Sequence, residues 1–296
     1  MSNLAKILSI LRPNLSAGSI KTYCSILNNL HSKIYGKETP SNLEDFKNTE
    51  IIINFLKDLP FNKRKTTYAA LFVLTELPIY QTLMFEDIKT YDAEINKQIL
   101  TPAQEESWVT TDTVNSHIEE LKKEADILYR KKQDIDEKDI QNIQSYIIMC
   151  LLSGVYIAPR RAQDFTDFKI VDINKETDNY IEGSNLVFNS YKTSGSYGKQ
   201  IIPIPEILHK ILKKWIKINP TNYLLFDSNF NPMTNVKLTQ RINKIFDGQK
   251  VSVNQLRHTY LQNKFGEHIG LHKKINDTMV EMGSSPAMLK NYVKYI

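Results

Sequence analysis

Two helical bodies, the second carrying a small antiparallel β-sheet, form the mainly α fold class that this sequence predicts. Three observations lead there. The chain has 296 residues, which at about 150 per domain is enough for two cores. Apolar residues recur at helical spacing over nearly all of its length. A switch to period two is confined to residues 168–203.

The first hundred residues read as helix throughout. Ser16 can cap a segment whose Ile20, Tyr23, Ile26, Leu27 and Leu30 share one stripe, and Gly36 ends it. A second helix around Ile51–Leu59 stops at Pro60. A third runs from Asn62 through Tyr68, Leu71, Phe72 and Leu74 until Pro78, and a fourth spans about Thr82–Leu100. Such short helices make a small bundle, with the basic run Lys63-Arg64-Lys65 expected to face outward. Residues 101–107 are polar, contain Pro102 and lack an apolar period, so the joint between domains is expected there, with a second domain over 108–296.

Helices are expected over about Thr111–Lys132 and Lys138–Ser153; the second carries Ile143, Ile147, Ile148, Leu151 and Leu152 and suits a central buried position. Strands are expected at Phe168–Ile173, Asn185–Tyr191 and Lys199–Pro203, joined by 174–184 and by the polar turn Thr193-Ser194-Gly195-Ser196. Helical pattern returns at Glu206–Ile218, Asn235–Phe246, Ser252–Phe265 and Leu271–Met282. Ser285-Pro286 then opens a last short helix ending near Tyr295.

Composition narrows the function. No stretch approaches the ~20 uninterrupted apolar residues of a membrane span, and Met1-Ser2-Asn3-Leu4-Ala5-Lys6 lacks the build of a secretory signal. An intracellular protein without a membrane partner is expected. Cys24 and Cys150 fit neither a disulfide framework nor a zinc spacing. None of the ten glycines forms a Gly-x-Gly-x-x-Gly loop, and His268 with His272 has Gly270 between and no third carboxylate, so neither a cofactor nor a metal is expected. The formal charge of +5 tilts mildly toward an anionic partner. Basic runs at 63–65, 130–132 and Arg160-Arg161 are each, taken alone, ordinary solvated faces.

The informative set lies in the second domain. Pro159-Arg160-Arg161-Ala162-Gln163-Asp164-Phe165 follows the buried helix, Ser190-Tyr191-Lys192-Thr193 sits on the hairpin, Asn254-Gln255-Leu256-Arg257-His258-Thr259 opens a helix, and Gly283-Ser284-Ser285-Pro286 precedes Asn291-Tyr292. In that order and at those intervals the set resembles the catalytic domain of the tyrosine recombinases and integrases. A helical DNA-binding domain precedes it in that family, as residues 1–100 would here, so the resemblance spans nearly the whole chain.

What the resemblance implies is DNA breakage and rejoining on double-stranded DNA. To cut a strand without a cofactor and reseal it, an enzyme must keep the phosphodiester energy in a covalent bond, and a tyrosine does so by forming a 3′-phosphotyrosine. Tyr292 matches that nucleophile. Arg161 and Arg257 match the two guanidiniums that bind the phosphate as its charge builds. Asp164 matches the acidic residue three positions after the first arginine, a spacing that Arg160, followed three places on by Gln163, lacks. Lys192 matches the lysine that protonates the departing 5′ oxygen, with Lys199 across the hairpin as the alternative. Lys63, Arg64 and Lys65 would contact phosphates from the first domain.

Two positions depart from the family pattern. Asn254 stands where His or Lys is common, and Ser284 where a His follows the glycine; both can hydrogen-bond a phosphate, yet neither can shuttle a proton at neutral pH. The interval from Gly283 to Tyr292 is also one residue short, so the alignment there can slip. His258 is a candidate phosphate contact or compensating group, although a residue at its place is expected to pack inward. Tyr295, on the same helical face as Tyr292, would make an aromatic pair with it. Only four residues follow Tyr292 in this sequence, too few for the C-terminal helix that many members exchange, which leaves a dimer or tetramer on DNA open. Single-strand nicking and resealing, as in type IB topoisomerases, is the alternative activity. A DNA-binding protein of this fold without turnover is another.

Overall fold

The computed structural model describes residues 3–36, 40 and 43–293, with the side chains of residues 132 and 133 not described. The chain divides into two units, Met1–Leu100 and Thr101–Ile296.

The first unit contains α1 (Asn3–Leu11), α2 (Ala17–Tyr35), α3 (Thr49–Leu56), α4 (Phe61–Thr75) and α5 (Pro78–Asn96), with a 3₁₀ turn at Leu43–Lys47. Ser16 caps α2 by accepting from the Ser19 N–H, and Gly36 closes it in the left-handed conformation at φ 70°. Helix α1 was not expected; its Leu4 and Leu8, one turn apart, drop into the core beside Leu27, Leu30, Ile52, Leu56 and Leu71. Pro78, read as the end of one helix, instead occupies the first turn of α5, where its missing N–H costs nothing.

Residues 101–107, expected as a polar joint, form α6 (Pro102–Ser107), closed by reciprocal bonds between Thr101 and Gln104. Then come α7 (Thr111–Leu128), a 3₁₀ segment Tyr129–Asp134, and α8 (Glu137–Leu152). Every residue of α8 from Ile143 to Leu152 is buried, so this helix forms the axis of the second core. Short α9 (Gln163–Thr166) follows.

The sheet has three antiparallel strands in the order β1 (Tyr180–Glu182), β2 (Asn185–Phe188), β3 (Gln200–Pro203). The expected strand at Phe168–Ile173 is corrected: those residues form only isolated bridges from Lys169 to Tyr180 and Tyr223, and the true first strand lies in the stretch read as a connection. Between β2 and β3 the polar turn contains one helical turn, α10 (Ser194–Tyr197).

The remaining helices are α11 (Glu206–Ile218), α12 (Asn235–Ile245), α13 (Val253–Phe265), α14 (Ile269–Glu281) and α15 (Leu289–Tyr292). Gln144, fully buried in α8, donates to the Phe226 carbonyl at 2.9 Å and accepts from the Phe226 N–H at 2.8 Å, so its amide acts as a strand partner for the 224–227 segment. Among the described residues no helix is long and apolar enough to cross a membrane. None of their His, Cys, Asp and Glu side chains form a group of three or more that could hold a metal.

Candidate functional site

The segment leaving α8 and the start of α13 meet through the second arginine. Arg257 sits one turn into α13, which is held in place by Val253 and Leu256 in the core, by Ser252 accepting from the Gln255 N–H, and by the Thr259 hydroxyl donating to the Val109 carbonyl at 2.7 Å. From there Arg257 Nε donates to the Pro159 carbonyl at 3.3 Å, two residues before Arg161. The same two segments touch again at Gly154, whose φ of 91° only glycine adopts freely and where a Cβ would lie 2.4 Å from the Tyr260 ring. Backbone shape and a side-chain tether thus bring Arg161 beside Arg257.

The electrostatics carry the same signature. Arg257 is lowered from its ordinary value first by burial and next by the positive charge of Arg161, with Asp164 opposing. Asp164 is raised by its own burial, against the pull of Arg160, Arg161 and Arg257. Arg161 is half-buried in the loop before α9, and its guanidinium makes no hydrogen bond or ion pair among the described residues. Two guanidiniums that repel each other across a partly desolvated surface, with one free of partners, form a ready seat for an anion.

Asp164, the acidic residue three positions after Arg161, forms its ion pair with Arg160 and not with Arg161. Arg160 Nε donates to Asp164 Oδ2 at 2.8 Å, while its Nη1 reaches Gln200 Oε1 at 2.7 Å and its guanidinium lies 3.9 Å from the centre of the Phe188 ring. The chain already turns helically here, with the Asp164 N–H bonded to the Arg161 carbonyl at 3.0 Å, and the ion pair forms at the i, i+4 spacing from Arg160.

Asn254 is exposed, and its Oδ1 accepts from Arg257 Nη1 at 3.3 Å, while its amide N–H groups remain available as donors. His258 is exposed, not packed inward as expected. Lys192 is exposed just after β2 with no hydrogen bond or ion pair, whereas Lys199 lies over the Tyr180 ring at 6.0 Å and lowers the Glu182 carboxyl together with Lys175.

Gly283, at φ 66°, ends α14 with the Ser284 N–H bonded to the Met279 carbonyl at 2.8 Å, and Ser284 is half-buried there. Tyr292 closes α15 with 60% of its surface exposed. No hydrogen bond, ion pair or ring contact joins Lys192, Ser284 or Tyr292 to the arginines. Tyr295 lies outside the described residues.

In the first unit the basic run splits. Arg64 is tied to Asp87, with Nε 3.1 Å and 3.2 Å from its two oxygens, and to the Lys57 carbonyl at 2.9 Å; Asp87 keeps only 6% of its side-chain surface exposed. This pairing corrects the expectation of three outward cations, because the Arg64 charge is spent on a buried carboxylate. The Lys65 ammonium rests 3.0 Å from the Tyr91 ring centre, and Lys63 alone is exposed and unpaired.

No family model matches the sequence, and no curated protein matches it. Among solved structures, one similar chain is the site-specific recombinase XerH bound to difH in a pre-cleavage complex, at 12% identity and TM-score 0.47, covering 90% of this chain and 75% of that one. Another is a lambda integrase dimer bound to a COC′ core site, at 14% identity and TM-score 0.45, covering 90% and 69%. A third is XerA recombinase, at 16% identity and TM-score 0.35, covering 88% and 83%. All three are tyrosine recombinases. At that distance, the roles of individual residues here rest on the geometry described above.

Proposed function

We propose that this chain is a DNA breaking-and-rejoining enzyme, a site-specific recombinase or integrase that works through a covalent 3′-phosphotyrosine. The observation that carries the reading is the pair Arg161 and Arg257, drawn together by the Arg257–Pro159 tether until Arg257 feels the charge of Arg161. In this reading the two guanidiniums bind the non-bridging oxygens of one backbone phosphate, and Asn254 adds a neutral donor. The Tyr292 oxygen attacks phosphorus while its phenolic proton passes to water. A bond from tyrosine to phosphorus forms, the bond from phosphorus to the 5′ oxygen breaks, and Lys192 gives that oxygen its proton. Reversal with a 5′ hydroxyl reseals the strand. Backbone phosphates would supply most of the affinity for duplex DNA, with assembly as a dimer or tetramer on it.

A pool of nicked duplexes of random sequence tests this without knowledge of the target. The expected result is a covalent protein–DNA adduct that Tyr292→Phe abolishes while duplex binding persists. An adduct that survives the substitution would remove Tyr292 from the role.

A second reading, a DNA-binding protein of the same fold without turnover, is favoured by one observation: Tyr292 is exposed and bonded to none of the other candidate groups. It predicts salt-sensitive duplex binding with no adduct from any member of the pool.

A further inference from the structure

Arg160 is the most heavily engaged cation near the site, and the proposed chemistry does not use it. Its side chain keeps only 14% of its surface exposed, and its partner Asp164 keeps 3%. Three elements converge on it. Asp164 belongs to α9, which directly follows Arg161; Gln200 opens β3; Phe188 ends β2, and Tyr191, whose ring centre is 5.0 Å from the guanidinium, immediately precedes Lys192. Tyr191 is itself buried and donates from its hydroxyl to the Gly198 carbonyl at 2.7 Å, closing the β2–β3 connection across its base.

A second buried side chain joins the same elements. Asn179 donates to the carbonyls of Asp164 at 2.9 Å and Ser190 at 2.7 Å, and its oxygen accepts from the N–H groups of Asn189 and Ser190. The loop bearing Arg161 and the hairpin bearing Lys192 are therefore cross-linked twice, once by an amide and once by a guanidinium.

We propose that Arg160 is a positioning residue that locks the Lys192 hairpin to the Arg161 loop, so that the proton donor and the phosphate clamp hold one geometry. The inference rests on the reading of Lys192 as the donor to the 5′ oxygen. A planar fork is what the place demands. Nε and Nη1 must point to two different acceptors while the flat face lies on Phe188, and a lysine ammonium can do only part of this. Arg160 acts here through the hairpin and not on DNA, with Nε and Nη1 held by Asp164 and Gln200 and one face held by Phe188.

Two variants and two readouts test it. Arg160→Lys keeps the charge beside Asp164, and Gln200→Leu removes one arm while leaving the buried ion pair intact, so the second remains informative if the first folds poorly. In the DNA-free protein, amide hydrogen exchange should rise in residues 189–199 for both variants while residues 143–152 of α8 stay protected. Unchanged exchange across 189–199 overturns the proposal, whatever the protein's activity.

The second readout is the rate of adduct formation. On an ordinary duplex both variants should be slowed roughly ten- to a hundredfold by a misplaced donor, with duplex affinity unchanged. On a duplex whose 5′ bridging oxygen is replaced by sulfur, a leaving group that needs no proton, the rate should return to that of the unmodified protein. A defect of equal size on both duplexes would show that Arg160 does not act through the proton donor, and so would overturn the proposal. If the unmodified protein forms no adduct on either duplex, the proposed function fails, and the exchange experiment decides the cross-link by itself.

Discussion

Around Arg161 and Arg257 the chain is tethered at every step, by the Pro159 carbonyl, the Gly154–Tyr260 contact, the Thr259 bond to Val109 and the Arg160–Asp164 pair, whereas the backbone bonds described for residues 283–293, which carry Tyr292, stay within that segment and the end of α14. Helix α14 buries a single side chain, Met279, and leaves Leu271 and Val280 exposed, with Met282 and Met288 exposed on either side of Gly283 beyond it. Labour would be divided accordingly. A phosphate clamp made of like charges must be held rigidly, because the two guanidiniums repel each other until an anion arrives. A nucleophile has to approach the phosphorus in line with the leaving oxygen, which a loosely held arm can do after DNA is seated.

The largest effect is expected at the hairpin. Lys192→Ala should slow adduct formation by about two to four powers of ten, and Lys199→Ala should leave it within about threefold of the original. The reverse ranking would move the donor to the lysine that lies over Tyr180, and the cross-link to Arg160 would lose its purpose. At the clamp, Arg257→Lys keeps a positive charge but loses the bond to Pro159 and one of two forked contacts. The expected loss in cleavage rate is about a hundred- to a thousandfold. A rate within tenfold of the original would mean that the tether does not set the geometry.

The first unit sharpens the contrast between a structural and a free cation on a single helix. Arg64→Leu strands the Asp87 carboxylate in a buried position and should cost that unit about 3 kcal/mol in chemical unfolding. Lys63→Gln should leave stability unchanged yet lower the slope of log affinity against log salt by about 0.9, the share of one phosphate contact. If Arg64 carried the salt dependence and Lys63 none, the assignment of roles within the run would be inverted.

Much of this architecture is legible from local chemistry. Ser16, Ser252 and Gly36 mark helix ends because their side chains or backbone angles satisfy orphan groups, and the apolar run of α8 reads directly as a central helix. What stayed hidden is non-local or depends on register. Phe168–Ile173 has the alternation of a strand, but its neighbours supply only isolated bridges, so pattern without a ladder partner misled. Pro78 reads equally well as a stop or a first position, and only packing of Tyr80 into the core decides. The partner of Arg64 lies 23 residues away, a separation no spacing rule covers. For the same reason the roles of the adjacent arginines at 160 and 161 could not be divided in full: the motif points to Arg161, while the pairing of Arg160 with Asp164, Gln200 and Phe188 requires three elements to have already met. Gly154 and Asn179 belong to this class as well.

The central claim is that the clamp stands ready while Tyr292 comes to it only with DNA. Fluorine NMR on protein carrying 3-fluorotyrosine at position 292 measures this directly. The account predicts a solvent-exposed resonance in the free protein that shifts on saturation with duplex, and no shift when Arg161 and Arg257 are both replaced by alanine at duplex concentrations that still saturate binding. A resonance that stays at its exposed position with duplex bound to the unaltered clamp would contradict it.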